Sequence, residues 1–321
     1  HLSDTDIGGG AGLFIGEGAS AYIENITITD NTVTANYFAG GGGLLCWDAN
    51  SLIYGATIAR NSAIAASFLG YSGAGGILVN ISDPIFVNTT VTQNSVYNSY
   101  FGTETFTAAG GIHSEGYSNP VFINSIIYNN GLDIYLGWTE DNYDIVAFFS
   151  QQYGLPNLAS PGNIMIDYSN IGLLDANNTD DLNYYEDLSI AISDNSTVDY
   201  RDHNINVDPN FTNCGESDYC LDSASDCIDA GTADYYYGGE VIIDTPESEY
   251  YGSAPDMGAI EYYLIGDITG DDEINVLDVV ALVNAILNGE NIIGGDVNED
   301  GVVNVLDIVM LVDIILHPNP K

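Results

Sequence analysis

The sequence predicts a mainly β solenoid followed by a small all-α module in which two acidic loops each lead into a helix. Three observations carry this. A glycine followed by alternating side chains recurs at Gly12-Leu13-Phe14-Ile15, Gly43-Leu44-Leu45-Cys46, Gly76-Ile77-Leu78-Val79 and Gly111-Ile112-His113-Ser114. Each copy is followed by paired landmarks six residues apart, Asn25 and Asn31, Gly55 and Asn61, Asn88 and Asn94, Asn124 and Asn130. Their steps of 30, 33 and 36 residues give a period of about 33, the mark of a repeat architecture. Lastly, two twelve-residue acidic segments start 29 residues apart, at Asp267 and Asp296, and each runs into an apolar stretch.

Helical repeats of this length need two helical patterns per copy. Here Ile23-Glu24-Asn25-Ile26-Thr27-Ile28-Thr29 alternates and is β-branched, which selects strands. A single turn cannot bury its own inner face, so turns stack at roughly 4.8 Å and place like residues above like. Leu13, Leu44, Ile77 and Ile112 should form one inward ladder, and Ile15, Cys46, Val79 and Ser114 a second. Phe14, Leu45 and Leu78 then form an outward apolar stripe, either covered by a loop such as 132–162 or serving as an interface. His113 falls in that outward row and reads as a surface residue. The recurring asparagines can hydrogen-bond along the stack.

The chain has 321 residues, with 3 Lys+Arg against 46 Asp+Glu for a formal charge of −43. Nucleic acid and anionic membrane surfaces are excluded as partners, and divalent cations are favoured. No apolar run reaches the roughly 18 residues that span a bilayer, so membrane insertion is not expected. Cys46 reads as a small core residue, and two of Cys214, Cys220 and Cys227 as disulfide partners whose connectivity is open. Residues 2–11 read as the tail of an uncapped turn, and the chain start at His1 as a processed or cut end.

After Asn130 the spacing is interrupted by an aromatic stretch, 132–162. Strand character returns at 164–171, and 175–203 reads as acidic loop. Asn204-Ile205-Asn206-Val207-Asp208-Pro209-Asn210-Phe211, Asp218-Tyr219-Cys220-Leu221, Cys227-Ile228-Asp229-Ala230-Gly231 and Pro255-Asp256-Met257-Gly258-Ala259-Ile260-Glu261-Tyr262 follow in order. They resemble the closing segment of proteins of the pectin-lyase-like superfamily, which implies a right-handed parallel β-helix over residues 1–263.

The segments Asp267 to Asp278 and Asp296 to Asp307, each with its apolar helix, resemble a type I dockerin, a paired EF-hand-like module, over residues 264–321. The resemblance implies Ca²⁺, which takes six to eight oxygens from loop positions 1, 3, 5, 7, 9 and 12. These are Asp267, Thr269, Asp271, Glu273, Asn275 and Asp278 in the first loop, and Asp296, Asn298, Asp300, Val302, Asn304 and Asp307 in the second. Position 7 contributes its backbone carbonyl. The first loop departs from the pattern at Thr269 and at Asp272, where a glycine normally turns the chain. Positions 10 and 11, commonly Ser-Thr in cellulosomal dockerins, are Val276-Leu277 and Val305-Leu306 here. Val283-Asn284 and Val312-Asp313 replace the basic contacts, which argues against a standard cellulosomal cohesin.

Lyases of the β-helix resemblance use a Lys or Arg base, and only Arg60, Arg201 and Lys321 exist. Hydrolases of that fold carry a Gly-His-Gly, which is absent from the sequence. No catalytic residue is assigned. The expectation is an extracellular or cell-surface, non-enzymatic structural or adhesive protein whose module joins it to a cohesin-like domain or to its own copies, head to tail into a filament. The rival is a polysaccharide-active enzyme or glycan binder tethered through its dockerin.

Overall fold

The computed structural model describes residues 7–67, 70–99, 107–137, 161–173, 184, 186–193, 195–214, 217–271, 273–290, 292, 294–298 and 300–317. It shows a β-solenoid of about five turns and two C-terminal helices. The chain divides into two compact units, His1–Gly231 with Asp256–Ile260, and Thr232–Pro255 with Glu261–Lys321.

In the first unit the strands of successive turns pair in parallel. One six-stranded sheet stacks Leu13–Gly16, Leu44–Trp47, Ile77–Asn80, Ile112–Glu115, Ile134–Leu136 and Ile190–Ile192. A second stacks Tyr22–Glu24, Leu52–Tyr54, Ile85–Val87, Val121–Ile123, Asn163–Asp167 and Thr197–Tyr200, and a five-stranded third runs from Thr27–Thr29 to Asn170–Ile171. The last strands of the first two sheets lie in 175–203, a stretch that sequence alone assigns to loop. The aromatic stretch 132–162 is described only at its two ends.

The inward ladder is as expected. Leu13, Leu44, Ile77 and Ile112 align in register and continue through Ile134 and Ile190. Together with Ile53, Phe86, Phe122, Ile166, Ile58, Val91 and Ile127 they form the main core, in which the Phe86 and Phe122 rings stack at 4.5 Å. Cys46 is a free, fully buried thiol of this core, pushed up to about 12 by burial.

Of the two alternatives for the outward row, the covered one holds for Leu45 and Leu78, with a cover drawn mainly from outside 132–162. Leu45 and Leu78 are buried, and with Tyr135 and Ala191 they form a second apolar cluster beneath Phe38, Tyr71, Ala74, Ala108 and Ala109. The cover is the chain leading into each glycine, joined by Leu132 from the start of the aromatic stretch. Leu45 and Leu78 pack so closely on it that a Cβ at Gly9 or Gly40 would lie 2.6 Å from a leucine methyl. Phe14, in the first turn, stays 54% exposed.

His113 is likewise buried rather than on the surface. Its ring stands edge-on to Tyr135 at 5.4 Å and beside Tyr71 at 6.3 Å, and Nε2 donates to the Gly137 carbonyl at 3.0 Å. Burial pulls it down to about 4 against the hydrogen bond to Gly137. The imidazole is therefore neutral, and its 3.7 Å approach to the Glu115 carboxylate is not an ion pair at neutral pH.

The paired landmarks have separate roles. Asn25, Gly55, Asn88 and Asn124 adopt left-handed backbone, φ +47° to +63°, which turns one sheet into the next. Asn31, Asn61, Asn94 and Asn130 form a ladder, in which the backbone N–H and side-chain amide of each donate to the Oδ1 of the next at 2.9–3.0 Å. The last acceptor is Asp133 Oδ1, reached from the Asn130 backbone and side chain at 3.0 and 2.9 Å. Burial pushes the Asp133 carboxyl up to about 7, opposed by its bonds from Asn130 and Ser189. Hydroxyl rows support other corners, with Ser125 Oγ accepting from the Thr89 N–H and Ser169 Oγ from the Ser125 N–H.

Beyond the turns, Met257 N–H donates to the Cys227 carbonyl, Gly258 N–H to the Asn124 carbonyl and Ala259 N–H to Thr90 Oγ1, at 2.8–3.0 Å. Cys220 is disulfide-bonded and Cys227 is a free thiol.

Two outcomes follow from these contacts. Asn94→Ala strands the Asn61 N–H and removes two donors, so it should cost about 3 kcal/mol in urea denaturation. A loss under about 0.5 kcal/mol would mean that water replaces the ladder. His113 is neutral when folded, so its contribution is complete above pH 6.5 and declines as the pH falls towards 4. Relative to a His113→Phe variant, the native protein should lose about 3 kcal/mol across that window. Comparing the two at each pH cancels the opposite slope from Asp133.

Candidate metal centre

The second unit holds the two acidic loops. Helix α1 is Val276–Asn288 and α2 is Val305–Leu316. Leu282 and Leu311 pack with Ile268 and Val297 from the loop starts, and all four are buried. That small core turns each loop's ends towards each other.

Both helices begin the same way. Asn275 and Asn304 are N-caps, each accepting from the N–H two residues on, at 2.8 and 2.9 Å. Asp278 and Asp307 close the capping boxes, each taking the N-cap's backbone N–H on Oδ2 at 2.7 Å. Their other oxygens reach back to the loop start. Asp278 Oδ1 accepts from the Ile268 and Thr269 N–H groups and the Thr269 hydroxyl at 2.9 Å, and Asp307 Oδ1 from the Asn298 N–H at 3.1 Å. Burial would raise the Asp278 carboxyl, but the hydrogen bonds from Asn275, Thr269 and Ile268 hold it below the usual carboxylate range.

Position 1 closes the front of each loop. Asp267 Oδ1 accepts from the Gly270 and Asp271 N–H groups at 3.0 and 3.3 Å. Asp296 accepts from Asp300 at 3.1 Å and from Gly301 at 2.7 Å. Asn298 Oδ1 takes the same Asp300 N–H at 2.9 Å, so positions 1 and 3 converge on one point of the second loop. Gly301, at position 6, has φ +85°, the left-handed turn expected there, while Asp272 lies outside the described residues.

In both loops the aspartates of positions 1 and 12 hold the loop's own N–H groups, and positions 3 and 9 supply a hydroxyl or amide oxygen in each. This hard, all-oxygen set fits Ca²⁺. Among the described residues no three Asp, Glu, His or Cys side chains are gathered as a bound metal would gather them, so the aspartates of each loop have still to be drawn together by the ion.

Neither arginine stands free on the solenoid. Arg60 pairs with Asp30 at 2.9 Å and hydrogen-bonds the Tyr219 hydroxyl, and Arg201 pairs with Asp199 at 3.1 Å and lies 3.8 Å from Asp167. His203 donates to or accepts from Asp167 at 2.9 Å and stacks on Tyr168. A cleft of about 490 Å³ beside Tyr128, Asp133, Asn206 and Asp208 is lined by neither arginine. No described helix is long and apolar enough to cross a membrane.

Calcium removal tests the loops. Calorimetric titration of the intact chain should show two binding events, and excess chelator should lower one thermal transition while sparing the solenoid's. A melting profile indifferent to chelator would contradict the fit.

Comparison with curated proteins and with solved structures returned no match. The family model of the dockerin type I domain matches residues 265–316, the stretch that contains both loops and both helices. Dockerins of this type bind calcium and dock cohesin-like protein partners. The chain thus carries a dockerin type I domain at its C-terminal end, behind a β-solenoid body.

Proposed function

We propose that this is an extracellular or cell-surface, non-enzymatic structural or adhesive protein, whose calcium-loaded dockerin fastens the solenoid to a cohesin-like partner. Calcium is held in the first loop by Asp267, Thr269, Asp271, Asn275, Asp278 and the Glu273 carbonyl. The second loop uses Asp296, Asn298, Asp300, Asn304, Asp307 and the Val302 carbonyl. Residues 264–321 then form the docking module and 1–263 the body, a right-handed β-helix of pectin-lyase-like type.

One observation carries the docking assignment. Val276, Leu277, Val280 and Leu287 of α1 are 54–79% exposed, and Val305, Leu306, Val309 and Leu316 of α2 are 57–68% exposed. The second set repeats the first, residue for residue, at the 29-residue spacing of the loops. Eight large apolar side chains held in solvent by two calcium loops form a surface made for a protein partner. The pairing of both arginines with aspartates supports the absence of lyase chemistry, and the charge of −43 is unsuited to a polyuronate.

A second reading is assembly of the chain with its own copies, head to tail into a filament. It is favoured by the exposed Phe14 and Tyr22 of the first turn, an apolar surface of the solenoid that a copy could cover. Light scattering of the intact chain in Ca²⁺ separates the two. Growth with concentration, abolished in a Leu277→Asp, Leu306→Asp double variant, is the outcome of self-assembly. A chain that stays monomeric and binds a cohesin-like domain, with at least tenfold loss in the same variant, is the outcome of docking. A variant that binds as tightly as the native chain would contradict the helix-face assignment.

A further inference from the structure

The second compact unit does not start where the dockerin match starts. It takes in residues 232–255, outside the matched range 265–316, and these form an antiparallel hairpin, Asp234–Tyr237 with Glu240–Asp244, and the chain after it. The contact that joins this segment to the module is aimed at the first loop. The Tyr251 hydroxyl donates to the backbone carbonyl of Asp267 at 2.9 Å. Tyr251 is 9% exposed and Asp267 not at all. The tyrosine is held in turn from its own backbone, whose N–H donates to Glu261 Oε1 at 3.0 Å. The same segment lies along the loop as far as position 4, where a Cβ on Gly270 would meet the Gly252 nitrogen at 3.7 Å and the Tyr251 ring edge at 3.8 Å.

The second loop is built differently. Asp296, the counterpart of Asp267, is only partly buried. The braced loop is also the one with the poorer sequence, since it has Thr269 and Asp272 where the second has Asn298 and Gly301. A threonine hydroxyl is a weaker oxygen donor than an amide carbonyl, and the sequence of the first loop lacks the glycine that the pattern asks for at position 6.

Resting on the calcium reading above, we propose that Tyr251 is a positioning residue for the first calcium site, and that the working module joins residues 232–255 to 261–321. Fixing the carbonyl of position 1 sets the backbone from which the Asp267 carboxylate projects. That carboxylate, already tied to the Gly270 and Asp271 N–H groups, then needs little further ordering when the ion arrives. This is preorganisation of a ligand through its outer contact. It offsets the defects at positions 3 and 6 of the same loop.

Calorimetric titration of the full chain with CaCl₂ tests the proposal, with each site isolated by disabling the other. In an Asp296→Asn background the remaining event belongs to the first loop, and adding Tyr251→Phe should weaken it about 3- to 10-fold. In an Asp267→Asn background the remaining event belongs to the second loop, and Tyr251→Phe should leave it unchanged. An unaltered first site, or equal weakening of both, overturns the positioning role while leaving the dockerin reading intact. Failure of the unsubstituted chain to take up calcium overturns that reading, and the role of Tyr251 with it.

Discussion

Everything in the solenoid depends on in-register stacking enforced by the amide ladder from Asn31 to Asp133. A buried asparagine is tolerated only if its donors and acceptor are satisfied, and each one here is completed by the next turn. A slip of one residue would strand several polar groups at once and point the leucine and isoleucine rows the wrong way. Turns can lengthen elsewhere, from 30 to 36 residues per step, because the extra residues fall outside this register. The run of amide side chains stops at Asp133, whose backbone N–H donates to Ser189 Oγ at 3.0 Å.

The period, the inward rows and the asparagine ladder were legible in sequence because each repeats, and stacking converts repetition directly into contact. What did not repeat was misread. Alternation correctly put Leu45, Leu78 and His113 on the far side of the strand from the core, but it is blind to a second layer. That layer comes from Phe38, Tyr71 and Ala108, whose glycine-rich surroundings read only as corners. Strands Ile190–Ile192 and Thr197–Tyr200 are too short, and too acidic in setting, to announce themselves. In the module, two acidic segments 29 residues apart and their resemblance to a dockerin marked the loops and the helices after them. The Tyr251 contact with Asp267 left no periodic trace, since it joins one side chain to one carbonyl across sixteen residues.

The helices and loops of the module are also one object at the level of single residues. Asn275 and Asn304 are at once loop position 9 and helix N-cap, and Asp278 and Asp307 are at once position 12 and the far side of the capping box. Ordering a loop around an ion therefore starts its helix, and the exposed apolar faces follow from the same event. With 46 acidic side chains against 3 basic ones, a cation is the natural agent to draw such loops closed.

The backbone bonds of Gly258 and Ala259 also bear on the order in which the first unit is built. They reach Asn124 and Thr90, 134 and 169 residues back along the chain, at strands interior to their sheets. So long a closure is costly until its landing site is rigid, and the turns that carry Thr90 and Asn124 must stand before residues 256–260 can settle on them. The last stretch of the unit to be made is thereby a fastening that only a finished stack can accept.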